Sequence, residues 1–512
     1  MNIIDWIVEF GNPMAGLKRR AARGVIASYD AAKPSRLRKF QRGDPSPNTL
    51  TSKSAIPLRV QARHLERNHD IARGIIRTLV NNVVGASGIG VEPQPRRKDG
   101  TIHKEYAKAL RDAYRDWQRT PEVTHTFTFS KAQRMMARAW LRDGESFAQQ
   151  LIGKIATLDH GTRVPYSLEL FESDLVPMDY EDGDRIRQGI ERNAWGRRVN
   201  YFVYKQHPSD LGLAAYRGAM KKIPADRVLQ VASFDRIGQL RGISEFASVI
   251  TRLDDIKDYE ESERIAAKIA ASLTAYIKKG SPDTYQPAGE GISSDGSTAP
   301  AREISFSPGM VIDSLGAGEE IGMIDSKRPN PNVVVFRSGQ LKAVASGVGA
   351  GYSSISKNYD GTYSAQRQEL IEQWVNYAVL TDEFTGMFVQ PNWETFVLVS
   401  HLSGVVPIPD DVDFDTADDA LYIGQSMPWI DPLKEALSWE ALTKAGFASE
   451  VEVIRKRGGN PRDLLEQVDA FRKEAKEKGL IFSSDSANSK STAPEVIQAA
   501  LETDVKNPAN TD

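Results

Sequence analysis

Between Glu245 and Lys279 there is neither a glycine nor a proline, and this stretch limits the possible folds more than any other part of the chain. It reads as one uninterrupted helix. At 1.5 Å per residue it would extend on the order of 50 Å, longer than most helices of globular proteins. Its centre carries Asp254, Asp255, Asp258, Glu260, Glu261 and Glu263 against Lys257 and Arg264. Two readings are open: a solvated acidic face, or a wall that faces and repels something negative.

The next residues break the helix. Gly280 to Pro300 is rich in Pro, Gly and Ser and too polar to pack. Strand-like pieces at Glu303–Phe306, Met310–Ile312 and Glu320–Ile324 precede a turn at Pro329-Asn-Pro331. Residues 280 to about 328 therefore read as a small subdomain inserted between two long helices. The second helix starts near Asn332 and ends in Ser346-Gly-Val-Gly-Ala-Gly351, where glycines let the backbone leave helical geometry at little cost. Tyr352 to Tyr363 then offers hydroxyls, amides and phenols with one acid, Asp360, and one base, Lys357. Such a loop can touch a polyanion at many points without gripping it; a plain helix–loop–helix connector is the blander alternative. A further helix begins near Tyr363 and continues toward Leu380.

Before the long helix the pattern is mixed. Leu58 to Val84 reads as one helix, with Leu65, Ile71, Ile75, Leu79 and Val83 recurring along it and a stop at Gly85. His103–Trp117 and Lys131–Arg142 read as two more. Strand candidates at Phe147–Leu151, Leu168–Phe171, Gly189–Ile190 and Asn200–Tyr204 come next. An α+β domain is expected up to about residue 230. The C-terminal quarter is punctuated for helices: Asp431-Pro432 to Gly446, a capping box at Ser449–Glu452 with Gly458 beyond, and Asn460-Pro461 to Gly479. A compact helical subdomain is expected between roughly 428 and 480.

At 512 residues the chain exceeds one ordinary core, so two to four units are expected. Charged residues at 26% and hydrophobic ones at 40% suit a soluble globular protein. The net charge of -2 argues against a generally basic nucleic-acid binder. Charge is uneven, however: Lys18 to Arg42 holds nine Lys/Arg residues against Asp30 alone. That arm could bind nucleic acid or anionic membrane, or simply be a solvated terminus. Without a single cysteine, disulfides, thiolate metal sites and cysteine nucleophiles are excluded. No apolar run reaches the roughly 18 residues of a membrane span, and Asp5 and Glu9 precede the basic run, the wrong order for a signal peptide. A soluble intracellular product is expected, with a disordered tail from Ser483 to Asp512.

Tests for chemistry come out weak. Ser354-Ile-Ser-Lys357 fits the S-x-x-K pattern of serine acyl enzymes, yet the companion S-D-N and K-T-G motifs are missing. Gly85-Ala-Ser-Gly-Ile-Gly90 comes after a helix instead of a strand and lacks the Gly-Lys-Ser/Thr ending of a phosphate-binding loop. His64 and His69 fall on different helical faces, and no H-E-x-x-H occurs. Asp410-Asp411 and Asp418-Asp419 lie in a polar linker, and Asp143-Gly-Glu145 reads as a turn leading into a strand. No catalytic, metal or cofactor site is expected.

The chain resembles the portal proteins of lambda-type tailed phages over most of residues 55 to 480. The strings that carry the resemblance are Ala62-Arg-His-Leu-Glu-Arg-Asn68, Leu79 to Ile89, Gly189-Ile-Glu191, Gly196-Arg-Arg-Val-Asn-Tyr201, His207-Pro208, Ile223-Pro-Ala225, Gly238-Gln-Leu-Arg-Gly242, Tyr352 to Arg367 and Trp429 to Ala436. Residues 281 to 300 and both termini show no match.

The resemblance implies an α+β, mainly α, portal fold with wing, stem, clip and crown regions, assembled as a ring of usually twelve subunits. Carried onto this chain, it gives a basic arm at 1–54, a wing at 55–230, a stem helix at 231–279 and a clip at 280–328. A second stem helix lies at 329–350, a tunnel loop at 351–363, a returning wing helix and linker at 364–427, a crown at 428–482 and a tail at 483–512. It further implies a channel for double-stranded DNA at one capsid vertex, with Ser353, Ser354, Ser356, Lys357, Asn358, Tyr359 and Tyr363 facing DNA. Asp254, Asp255, Asp258 and Glu261 would form an acidic channel wall. The implied partners are further copies of the chain, the terminase large subunit, the major capsid protein and a head–tail completion or adaptor protein, with no membrane. The implied location is the virion, and the host cytoplasm during assembly. A monomeric nucleic-acid-binding protein and an S-x-x-K acyl enzyme are the alternatives.

Overall fold

A computed structural model describes residues 45–210, 220–271, 275–279, 319–323, 332–427 and 432–480. The basic run Lys18–Arg42 of the N-terminal arm, most of the expected clip and the expected tail lie outside them. Among the described residues no helix is long and apolar enough to cross a membrane.

The chain enters the described region as helix α1 (Pro47–Asn68), capped by Ser46 and begun by Pro47. The expected single helix over Leu58–Val84 is in fact the end of α1 and a separate helix, α2 (Asp70–Val83). The expected arm boundary at residue 54 likewise falls inside α1. His69 makes the break. Its backbone is extended, its Nδ1 accepts from the Ile71 amide at 3.3 Å, and its Nε2 lies 3.1 Å from the Leu253 carbonyl. A tertiary hydrogen bond thus overrides local helix propensity. Strand β1 (Gly90–Pro93) and helices α3 (Lys104–Trp117) and α4 (Phe129–Asp143) come after it.

Two antiparallel sheets come next. β2 (Glu145–Ile152) lies between β3 (Tyr166–Glu172) and β8 (Val228–Ala232); β4 (Ile186–Arg187), β5 (Ile190–Arg192), β6 (Arg198–Tyr204) and β7 (Met220–Pro224) form the second sheet in that order. Because side chains alternate along a strand, β2 serves two cores. Ala148 faces the main one, and Phe147 enters a smaller one with Phe171, Ile190, Tyr201 and Ile223.

The expected stem helix over 231–279 is shorter than its sequence pattern. Helix α5 spans Ile250–Ala271, after β8 and a loop, and Ala275–Lys279 is strand β9, paired antiparallel with β10 (Glu319–Met323). Helix α6 (Val333–Val348), the short helix α7 (Tyr352–Ser356) and α8 (Tyr363–Phe384) succeed them. The helix expected to run toward Leu380 goes further. A π segment at Thr385–Val389 carries it without a break into α9 (Gln390–Leu402). The π turn absorbs Gly386 and leads into Pro391, whose missing N–H falls in the first turn of α9.

β11 (Ala420–Ile423) returns to pair with β1. Three helices end the described chain: α10 (Pro432–Lys444), α11 (Glu450–Lys456) and α12 (Pro461–Glu477), the last two capped by Ser449 and Asn460. They do not form the compact unit expected, since only Pro461 and Ala475 among them are buried. Charge ties them to the body. Arg455 meets the buried Glu92 at 3.1 Å, and Arg111 meets Asp463 at 3.2 Å and Glu466 at 2.9 Å.

The main core is aromatic. Trp117 stacks on Tyr166 with centroids 5.3 Å apart and donates its indole N–H to the Tyr166 carbonyl at 2.8 Å. Trp393 and Phe396 of α9 pack on Tyr114 at 5.0 and 4.9 Å.

Beside the core lies a dry charge cluster at the α4–β2 turn. Gly144 caps α4 at φ 93°, and a Cβ there would stand 2.4 Å from the Ile243 carbonyl carbon. One on Gly242 would stand 2.0 Å from the Gly144 oxygen. Asp143 is held by Arg63 at 2.7 and 3.0 Å and by Arg142 at 2.7 and 2.8 Å. Glu145 accepts from Arg241 Nε at 2.8 Å, Ser173 Oγ at 2.6 Å, Gln230 Nε2 at 3.0 Å and the Gly242 amide at 3.1 Å. Burial pushes the Glu145 carboxyl up, but Arg241 and these donors outweigh it and hold it below its ordinary value of 4.5. A carboxyl depressed in the folded state stabilises above its unfolded pKa and loses that contribution as pH falls through the folded one. Glu145→Gln is therefore expected to cost about 3–5 kcal/mol at pH 7, because Arg241 is left buried and unpaired. Thermal melts should also show a shallower loss of stability below pH 4.5 in the variant than in the parent.

Candidate nucleic-acid interface

Helices α5 and α6 pair antiparallel. Arg252 donates to Gln340 at 2.7 Å, Tyr259 packs on Phe336 with centroids 4.8 Å apart, and Arg337 Nε reaches Glu260 at 2.5 Å. Leu253 and Ile256 supply the buried side. The opposite side of α5 carries Asp254, Asp255, Asp258 and Glu261, all exposed. Among the described residues none of these four has a cationic partner within ion-pair distance. The four residues expected to form an acidic wall thus make a continuous helical stripe whose charge the rest of the described chain leaves uncompensated, with Asp254, Asp258 and Glu261 one turn apart.

The glycines at the end of α6 and just beyond it, Gly347, Gly349 and Gly351, do different work from the conformational freedom expected of all three. Only Gly349 has a left-handed backbone, at φ 64°. Gly347 lies inside α6, where a Cβ would stand 2.5 Å from Val249 Cγ1. A Cβ on Gly351 would overlap Gln373. Gly347 and Gly351 are small because other elements pass close by.

The seven residues expected to face DNA separate into two groups. Ser353, Ser354 and Ser356 are on α7, half-buried and engaged. Ser353 donates its amide and hydroxyl to Glu369 at 3.0 and 2.7 Å, Ser354 its hydroxyl to Gln373 at 3.3 Å, and Ser356 its hydroxyl to the Tyr352 carbonyl at 2.7 Å. Lys357, Asn358, Tyr359 and Tyr363 are exposed, and Lys357 leaves the helix at φ 58°. Asn358 Oδ1 accepts from the Asp360 amide at 2.8 Å, and Arg367 comes within 3.5 Å of the Tyr363 hydroxyl. The exposed tip therefore presents one cation, one carboxylate (Asp360), two phenols and an amide, with the half-buried Arg367 beside Tyr363.

Sequence reasoning missed the residues that hold this segment. Glu369, Gln373 and Asn376 stand at i, i+4 and i+7 on α8; Asn376 Nδ2 donates to the Gly349 carbonyl at 2.6 Å. A polar stripe at helical spacing just after a glycine-rich loop was the available signal. Lys342 adds a cation–π contact, 5.4 Å from the Tyr352 ring centroid.

The serine–lysine pair does not assemble as a nucleophile and base. Ser354 is turned toward Gln373, and Lys357 makes no hydrogen bond to it among the described residues. The Asp143-Gly-Glu145 carboxylates are consumed by arginines. Glu172, Asp174 and His207 offer ligand atoms within 4.8 Å of one another. Arg63 already contacts Glu172 at 3.2 Å and Asp174 at 2.7 Å, so this is an ion-pair cluster.

Comparison with known proteins gives a consistent result. The sequence model for phage portal proteins of the lambda family matches residues 33–380. A probable portal protein of Halomonas phage phiHAP-1 is 22% identical over 426 residues, covering 80% of this chain and 79% of that one. Portal protein B of Escherichia phage lambda is 22% identical over 446 residues, covering 80% and 81%. Among solved structures, the neck of a native GTA particle computed with C12 symmetry aligns at 14% identity and a TM-score of 0.40, covering 78% of this chain and 94% of that one. The neck of an empty GTA particle computed with C6 symmetry aligns at 12% and 0.42, covering 86% and 99%. The sequence match spans well over half of the chain, which belongs to the lambda family of phage portal proteins.

Proposed function

We propose that this chain forms a ring of about twelve copies at one vertex of the phage capsid, around a channel through which double-stranded DNA is packaged and later ejected. In this reading α5 and α6 are the stem, residues 280–328 the clip that meets the terminase large subunit and then a head–tail completion protein, and 55–230 the wing. Residues 428–482 are the crown, on the capsid side and near the major capsid protein. No bond is made or broken; the protein guides.

The observation that carries this is the uncompensated acidic stripe of α5. Repeated around a ring axis, one such stripe becomes a negative sleeve. It repels phosphates within about one Debye length, roughly 8 Å at physiological salt, and so keeps DNA from adhering. The exposed tip Lys357–Tyr363 supports the same reading, because phenols, an amide and few cations can touch phosphate and sugar without reading bases. Few cations matter. Each neutralised phosphate adds salt-dependent affinity that would stall movement. A monomeric nucleic-acid binder fits less well, since the described surface at this site is mostly acidic.

Three outcomes are expected. Native mass spectrometry and electron microscopy should find rings of about twelve subunits; a monomer under all assembly conditions would sink the proposal. Lys357→Glu combined with Tyr359→Ala should stall packaging or let packaged DNA leak, and unaltered packaging and retention would remove the loop from the channel. Glu369→Ala removes both bonds to Ser353, each of the charged class worth about 1.5–3 kcal/mol. Amide exchange across Tyr352–Ser356 should speed by about tenfold or more, with α8 unaffected.

A further inference from the structure

Several described helices carry exposed apolar side chains at helical spacing, and two of them, α8 and α1, differ in the sign of the charge around the stripe. On α8, Ile371, Val375 and Val379 recur at four-residue steps and are 41%, 65% and 52% exposed. On α1, Ile56 and Val60, also four apart, are 43% and 58% exposed. Scattered exposed apolar residues are ordinary, whereas stripes at helical spacing mark a surface meant to be covered.

Their surroundings carry opposite charge. Glu372, Asp382 and Glu383 flank the α8 stripe, all exposed and without a cationic partner among the described residues. Gln368 donates to Glu372 at 3.0 Å, a neutral contact that leaves its charge uncompensated. Partial burial, with Asp382 alongside, holds the Glu383 carboxyl above its ordinary value, the condition an incoming cation would relieve. On the other surface Lys53 and Arg67 of α1 and Arg73 and Arg77 of α2 are exposed, with no carboxylate partner among the described residues. This chain thus holds both halves of a complementary pair: an apolar stripe edged with carboxylates, and an apolar stripe in line with Lys53 and Arg67 on α1, with Arg73 and Arg77 exposed on the helix that follows.

A closed ring of identical subunits needs two such different surfaces, because each contact is head-to-tail. We infer that the α1–α2 face of one copy docks on the α8 face of the next, Ile56 and Val60 meeting Ile371, Val375 and Val379 while the arginines meet the carboxylates. The inference rests on the proposed ring and names its seam. The apolar contact would provide the affinity, and the charges the pairing and its register.

Charge exchange in the full-length protein tests it. One variant carries Arg73→Glu and Arg77→Glu, the other Asp382→Arg and Glu383→Arg, with circular dichroism and melting used to confirm that each is folded. Each alone should give no rings under conditions where the parent does. Mixed in equal amounts, the two should form rings in which they alternate, since reversed faces then match each other and native faces match each other. Rings from either variant alone, or none on mixing two folded variants, would overturn the seam. So would unchanged rings with weakened DNA binding, which would make the arginine face a DNA contact. A second test stands even if the parent never closes into rings. The chain has no native cysteine, so Val60→Cys with Val375→Cys should give a ladder of disulfide-linked multimers on oxidation, and neither single variant should. A product that stays monomeric overturns the seam independently of the ring.

Discussion

The contact between Gly144 and Gly242, locked by the buried pair of Glu145 and Arg241, sets the geometry of everything downstream. There the loop after β8 crosses the α4–β2 turn so closely that neither residue can carry a Cβ. Arg241 is fully buried and also donates to the carbonyls of Val176 and Gln188, at 3.1 and 2.9 Å. One guanidinium therefore joins both sheets to the loop that leads into α5. If the loop shifted, Glu145 would lose the Arg241 guanidinium and the Gly242 amide in a dry site, a cost far above that of any surface contact. The direction in which α5 leaves the body is fixed by polar chemistry, and the aromatic core supplies the stiffness behind it.

From that exit the remaining elements are placed by packing. Leu253 and Ile256 turn inward, α6 runs back along α5, and Asp254, Asp255, Asp258 and Glu261 are left outside. The returning chain passes Val249 at Gly347 and Gln373 at Gly351. The tip at Lys357 is thereby carried on α8, which is itself anchored in the main core through Tyr377 and Phe384, and through Phe388 of the π segment that continues it. In the proposed ring, a loop that must meet a passing polymer without yielding is built on a helix rooted in the core.

Much of the fold was legible in the residues, and the failures share a cause. The helix starts at Ser449 and Asn460 were set by local capping chemistry, which sequence carries. The acidic stripe was visible as a run, and helical spacing alone put Asp254, Asp258 and Glu261 on one side. The break at His69 was not visible, because it depends on the Leu253 carbonyl, 184 residues away. Nor was the end of α5, where Ala275–Lys279 has β10 as a partner and so trades helix for strand. The glycines at 347 and 351 looked like flexible punctuation because their neighbours, Val249 and Gln373, come from other elements. In the Tyr352–Tyr363 segment the residue types were plain from the start, while the division between anchored serines and an exposed tip needed Glu369 and Gln373 in place.

The ladder between β9 and β10 has a consequence for how such chains diversify. It closes at Lys279 and Glu319, so both ends of the 280–318 segment are held one strand spacing apart. Lengthening a segment whose ends are already joined costs little, about 0.6 kcal/mol for each doubling. The sequence between those points can be exchanged, extended or trimmed while α5, α6 and the acidic face keep their places. Under the proposed function, a phage lineage can thus acquire a new docking partner at one end of this molecule without renegotiating its handling of DNA at the other.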